Sequence, residues 1–211
     1  MENLKYIVKK FNLDPKSQMP LIIKNYCRND LAQLFCDLGF RIGAEIGVKK
    51  GYYSKILCLY NPELKLYSID PWMETDEYRD YTQDKMERYY EESKRRLESV
   101  NCELIRKKSL DAVKDFDDNS LDFVYIDGDH RYKSVIDDLT EWSRKVKPNG
   151  IIAGHDWGLY PARNCDVEKA VPEFIKTHSI NPWFVIDGHR NEKGVNLTRP
   201  NSFFWVKECN A

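Results

Sequence analysis

Between Leu121 and Asp156 the chain reads as one unit that leaves few folds open. The run LDFVYID is short and apolar and ends on Asp127. YKSVIDDLTEWSRKVK follows, placing Val135, Leu139, Trp142 and Val146 on one helical stripe, and Pro148-Asn149-Gly150 turns the chain into a second buried run, IIAGHD. Strand, amphipathic helix and strand at this spacing predict parallel neighbours, because a helical crossover is the usual way to return a chain to the same end of a sheet. The alternation extends both ways. IGAEIG predicts a buried strand before the helix YYSKILCLY, which Asn61-Pro62 closes, and KLYSID and CELIRKKS are further strands. Upstream, DLAQLFCDLG puts Leu31, Leu34, Phe35 and Leu38 on one helical face, with Asp30 as its N-cap and Gly39 as its stop. VEKAVPEFIKTH is helical at its ends while Pro172 disfavours its middle, and WFVID and SFFWVKE close the chain as a hairpin. The expectation is an α/β, doubly wound, mostly parallel sheet with helices on both faces and an antiparallel edge strand.

The totals narrow the class. A chain of 211 residues builds one domain with a substantial core. Thirty-three basic against 34 acidic side chains argue against a general positive field for nucleic acid. Six cysteines (27, 36, 58, 102, 165, 209) are scattered without a CxxC pair and read as reduced thiols of a cytoplasmic protein. The first 20 residues predict a short helix and then a loop at NLDPKSQMP, with no signal-peptide core, and no window approaches a membrane span. The organisation expected is an N-terminal helical segment, 1–40, and one domain, 41–211, carrying a helical insertion at about 71–100. That insertion is highly charged and rich in tyrosine. It is either a solvated helix with charge pairs or a cover for the sheet's C-terminal edge, and the two are compatible.

Ligands of an open parallel sheet sit beyond the carboxyl ends of its strands. The residues predicted there are Glu45, Gly47 and Gly51, then Asp70, Lys108-Ser109, Asp127-Gly128-Asp129-His130 and His155-Asp156. A sheet needs none of these carboxylates for stability. Glu45 sits two residues before the first glycine, and Lys49 stands where a dinucleotide loop carries its middle glycine. A glutamate there repels pyrophosphate and favours a cationic ligand end. S-adenosylmethionine meets both conditions, being an ammonium and sulfonium cation with one carboxylate and no phosphate. Asp70 is placed to accept hydrogen bonds from two ribose hydroxyls, a role that NAD would use equally.

GAEIGVKKGYYSKIL, YSIDPW and LDFVYIDGDHRYKSVIDDLTEWSRKVKPNGIIAGHDW together resemble a class I S-adenosylmethionine-dependent methyltransferase, of the group with catechol-type and macrolide-sugar O-methyltransferases. The resemblance covers roughly residues 40–190 and implies a Rossmann-like, seven-stranded sheet. It implies Glu45, Gly47 and Gly51 as the loop at the methionine end, Asp70 on the ribose, and Ser109 near the adenine with Trp72 a neighbour. Lys49 and Tyr53 depart from the small or hydroxyl residues common in that loop. By the same resemblance Asp127 and Asp156 are carboxylate ligands of a divalent ion, usually magnesium, that lowers the pKa of an acceptor hydroxyl, and His130 is the general base. Trp157 replaces the next ligand of the pattern, leaving His155 to supply it, an imidazole that suits manganese, iron or zinc better than magnesium.

Two other readings stay open. Asp127-Gly128-Asp129 also spells the metal-binding DxD of a nucleotide-sugar glycosyltransferase, and the same sheet serves non-catalytic cofactor binders. The expected partner is a small hydroxyl-bearing acceptor, either a sugar or a phenol stacking on Tyr78, Tyr81, Tyr89 or Tyr90, with no nucleic acid and no membrane. Relatives of this kind commonly form homo-oligomers.

Overall fold

The computed structural model describes residues 2–75, 81–158, 165–188 and 201–208. Its strands are β1 (Leu21–Lys24), β2 (Ile42–Ile46), β3 (Lys65–Ile69), β4 (Cys102–Ile105), β5 (Leu121–Ile126), β6 (Val146–Trp157), β7 (Phe184–Asp187) and β8 (Asn201–Val206). They form one eight-stranded sheet in the order β1-β7-β8-β6-β5-β2-β3-β4. Strands β2 to β6 pair in parallel, β8 runs antiparallel to β6 and β7, and β1 adds to β7 in parallel.

Period-two alternation divides the core into two layers. Along β5, Phe123 and Tyr125 face α1 (Glu2–Lys10), α2 (Arg28–Asp37) and α3 (Tyr52–Tyr60). Val124 and Ile126 face α6 (Tyr132–Lys145) and α7 (Val167–Thr177). Phe123 is fully buried and stacks on Phe35 at 4.1 Å, so its truncation to alanine is expected to cost about 3–5 kcal/mol. The insertion contributes α4 (Gln83–Leu97), which buries Met86 beside Val48 and Trp72. A short helix, α5 (Ser109–Ala112), follows β4. No helix among the described residues is long and apolar enough to cross a membrane.

Several local readings are corrected. The sheet has eight strands rather than seven, because the N-terminal segment supplies β1 as well as helices. Four residues, with Leu21 and Ile23 buried and Ile22 exposed, are too short a pattern to stand out. Asp30 is not the N-cap of α2. Cys27 holds that position, and Asp30 reaches back to accept its backbone N–H at 2.7 Å. Helix α7 runs unbroken through Pro172, since the buried stripe of Ala170, Val171, Phe174 and Ile175 offsets the missing hydrogen bond. The expected turn at 148–150 is a register shift inside β6, with Asn149 at φ 64°.

Candidate active site

All five of the parallel strands β2 to β6 end on one rim. The chain leaves β2 for β3 on one side and β5 for β6 on the other, so the order reverses between β2 and β5, the switch point where such sheets take ligands. The Asp127 N–H donates to the Ile46 carbonyl at 2.7 Å and that of Gly47 to the Ile69 carbonyl at 2.9 Å, fixing the loop after β2 beside the end of β5. Gly47 has φ 89°, and a Cβ there would overlap the Asp127 carbonyl. Lys49 follows at φ 54°, a left-handed conformation that needs support in a non-glycine residue. Asp70 gives that support. Its Oδ2 accepts the N–H groups of Val48 at 2.9 Å and Lys49 at 2.8 Å, and Oδ1 accepts that of Trp72 at 2.8 Å.

Several residues expected at the cofactor are hydrogen-bonded within the protein. Trp72 is fully buried, and its indole N–H donates to the Lys49 carbonyl at 2.8 Å, so it packs beneath the loop. Tyr53 is also buried, its hydroxyl donating to the Arg28 carbonyl at 2.8 Å. The Ser109 hydroxyl donates to Asp138 and accepts the Trp142 indole N–H at 2.8 Å, which turns it toward α6. Glu45 is 2 % exposed and lies under the loop, where Ser54 and, at 3.3 Å, Ser68 donate to its Oε2. Burial pushes its carboxyl up to about 8 despite the Ser54 hydroxyl. The exposed Lys49 ammonium lies 5.4 Å over the Tyr81 ring. Tyr90 packs on Trp72 at 4.9 Å, Tyr89 meets the Lys50 ammonium at 4.6 Å, and Tyr78 lies outside the described residues.

The β5–β6 side of the rim is charged. Asp127, His130 and Asp156 offer ligand atoms that all lie within 4.8 Å of one another. His130 Nε2 is 2.6 Å from Asp156 Oδ2 and 3.8 Å from Asp127 Oδ1. Asp156 is buried at φ 64°, a backbone turn that presents its carboxylate across the strand end. Burial opposes charge on His130, but the two carboxylates outweigh it and hold the imidazole protonated up to about 11. Burial likewise disfavours the Asp156 anion, yet His130 and His155 keep its pKa well below the usual carboxylate range. Burial raises that of Asp127.

His155, which the sequence offered as the third ligand, also stands beside both carboxylates. The His155 Nδ1 lies 3.5 Å from Asp156 and 3.7 Å from Asp127, and its buried Nε2 has no hydrogen-bond partner among the described residues. Asp129 folds back on its own turn, accepting from Ser134 at 2.8 Å and the Arg131 N–H at 3.0 Å, so Asp127 and Asp129 do not form a metal pair. A cavity of about 230 Å³ lies elsewhere, lined by Phe174, His178, Trp205 and Lys207, and includes none of these residues.

A family model described as a methyltransferase domain matches residues 44–157, which run from β2 to the end of β6. The chain belongs to this methyltransferase family. The methyltransferase also aligns over 96 residues, at 29 % identity, with the uncharacterized protein y4gI of Sinorhizobium fredii; that match covers 43 % of the chain and 10 % of the relative's length. Its fold is similar to the O-methyltransferase TomG of Streptomyces achromogenes in complex with SAM (TM-score 0.61, 18 % identity, covering 98 % of this chain and 90 % of TomG). A SAM-dependent O-methyltransferase of Thermotoga maritima gives a TM-score of 0.58 at 15 % identity over 87 % and 66 % of the two chains. A methyltransferase of Geobacter sulfurreducens gives 0.57 at 13 % over 99 % and 87 %.

One residue at the methyltransferase's rim went unread in the sequence. Arg28, in the first turn of α2, reaches to 3.7 Å from Asp127 Oδ2. A signal existed, because a cation at a helix N-terminus opposes the helix dipole and calls for another reason to be there.

Proposed function

We propose that this methyltransferase moves the methyl group of S-adenosylmethionine to a hydroxyl of a small-molecule acceptor, with His130 as the base. The observation that carries this reading is the Asp127–His130–Asp156 cluster at the switch point, beside the Gly47 loop. The cofactor fits the residues present. Among the described residues no donor reaches Glu45 Oε1, which leaves a carboxylate oxygen for an ammonium.

Asp127 and Asp156 with the His155 imidazole are also a donor set for a divalent ion such as manganese, iron or zinc, and magnesium suits the carboxylates alone. Such an ion on Asp127 and Asp156 would lower the pKa of an acceptor hydroxyl. The chain's own residues do the rest. His130 holds a proton while both carboxylates face it; a cation on those carboxylates would let it release that proton to solvent, and the neutral imidazole would then be an acceptor for the hydroxyl proton. Tyr81 and Tyr89, on the insertion side of the loop, are the proposed ring contacts for the acceptor.

Calorimetry and a turnover assay test the reading. S-adenosylmethionine is expected to bind, and a panel of catechols and sugars is expected to yield S-adenosylhomocysteine, with turnover reduced by EDTA and restored by Mn²⁺ or Mg²⁺. Binding of UDP-glucose with manganese, and none of the methyl donor, would refute it.

A further inference from the structure

Arg28 stands outside the matched family segment, yet it reaches the rim beside Asp127. Its side chain is 23 % exposed. The guanidinium lies 5.0 Å over the Tyr53 ring, and its nearest carboxylate oxygen is 3.7 Å away, beyond hydrogen-bond distance. Among the described residues it donates no hydrogen bond. Its five N–H donors thus remain open to water or to a ligand, although Asp127 and its other acidic neighbours offset the cost of burying its charge. The position itself gives no reason for a cation, since α2 begins there and its dipole favours an anion.

The surroundings say which anion belongs. Glu45 and Asp127 both lie within electrostatic reach of Arg28, and among the described residues no donor reaches Glu45 Oε1. A guanidinium held only by a 3.7 Å ion pair and a carboxylate oxygen without a donor among the described residues complement a zwitterion. Tyr53 occupies the loop position where the family resemblance expects a small or hydroxyl residue, and its hydroxyl is spent on the Arg28 carbonyl at 2.8 Å. The loop therefore offers an incoming carboxylate no side chain there, while the Tyr53 ring and hydroxyl together orient Arg28.

We propose that Arg28 binds the α-carboxylate of the cofactor's amino-acid end, with Glu45 facing its ammonium, so that a residue from the N-terminal segment completes the cofactor site. The proposal rests on the S-adenosylmethionine reading above. Its test is calorimetry on the full chain with two thioethers that differ only at this end: S-adenosylhomocysteine, which carries the amino acid, and 5′-methylthioadenosine, which lacks it. R28M is expected to weaken S-adenosylhomocysteine by about 30-fold or more and to leave 5′-methylthioadenosine within about twofold. R28K keeps the charge but not the fork and falls between. The unchanged methylthioadenosine affinity also reports that the variant is folded.

Equal binding of S-adenosylhomocysteine by R28M and the parent would overturn the assignment, and a raised KM for the acceptor in that case would move Arg28 to the acceptor side. Equal loss of both thioethers in R28M and R28K would also overturn it, by making Arg28 a support of the whole site. If the parent protein binds neither thioether, the cofactor reading itself fails, a result distinct from the others.

Discussion

The two halves of the rim are built on opposite principles. Between β2 and β3 the loop is held by neutral donors: two amides and the Trp72 N–H converge on Asp70, and an indole caps the Lys49 carbonyl. Between β5 and β6 the groups are charged and close, with Asp127, His130 and Asp156 in mutual contact. The first half is pre-organised to present backbone, and the second is poised to exchange a proton or a cation. Ligand positioning and chemistry are thus assigned to adjacent but separately constructed parts, which single substitutions can separate.

The largest effect is expected in the charged half. His130→Ala should lower turnover by about 10²- to 10⁴-fold, the range for loss of a positioned acid–base group, while S-adenosylhomocysteine binding stays within a few-fold of the parent. A large loss of cofactor affinity in H130A would mean that the halves are not separable. Asp70→Ala is the reciprocal change. It releases three backbone N–H groups and the left-handed Lys49, and should weaken cofactor binding by about 10- to 100-fold, the equivalent of about 1.4–3 kcal/mol. Near-normal affinity in D70A would show that the loop is held without its staple.

This division also explains what could be read in the sequence. The fold was legible because β5, α6 and β6 state their periods plainly and because Gly47 and Asp127 mark strand ends. Strand-end position identified which residues reach the rim, but not where their side chains turn. Trp72, Tyr53 and Ser109 look like ligand contacts in one dimension, and in the fold each also finds a hydrogen-bond partner on a distant segment that makes it a support of the loop or a helix. No spacing announces the left-handed turn at Asp156 either, and its carboxylate stands between His130 and His155. Arg28 was missed because its contact with Asp127 spans almost a hundred residues and belongs to a segment without a motif.

A third expected effect is set by pH and concerns Glu45, the group under the neutral half. Its ordinary value of 4.5 is raised to about 8 by burial. The folded protein therefore holds a proton that the unfolded chain has released between these values, so stability falls as pH rises through that window. Urea unfolding of the parent should show a decrease on the order of a few kcal/mol between pH 5 and pH 8.5. E45Q, neutral throughout, should reduce that slope and leave the part above pH 6.5 that His130, also raised, contributes in the same direction. Saturating S-adenosylhomocysteine should reduce it in the parent as well, because an ammonium beside Oε1 favours the anion. A parent whose stability is level across the window would place the Glu45 charge in water.

The smallest change tests whether Trp72 serves the loop by its hydrogen bond or by its bulk. Trp72→Phe keeps an aromatic ring against Val48 and Met86 but removes the donor to the Lys49 carbonyl. Loss of one such bond is expected to cost about 1 kcal/mol, or about 2–4 °C in Tm for a chain of this size. Cofactor affinity should fall only about twofold to fivefold, less than in D70A, because the Asp70 amide bonds remain. If W72F matched D70A in affinity while losing no more than this stability, the indole rather than the carboxylate would set the loop's shape. The neutral half would then depend on the docking of α4, through Met86, as much as on its own backbone.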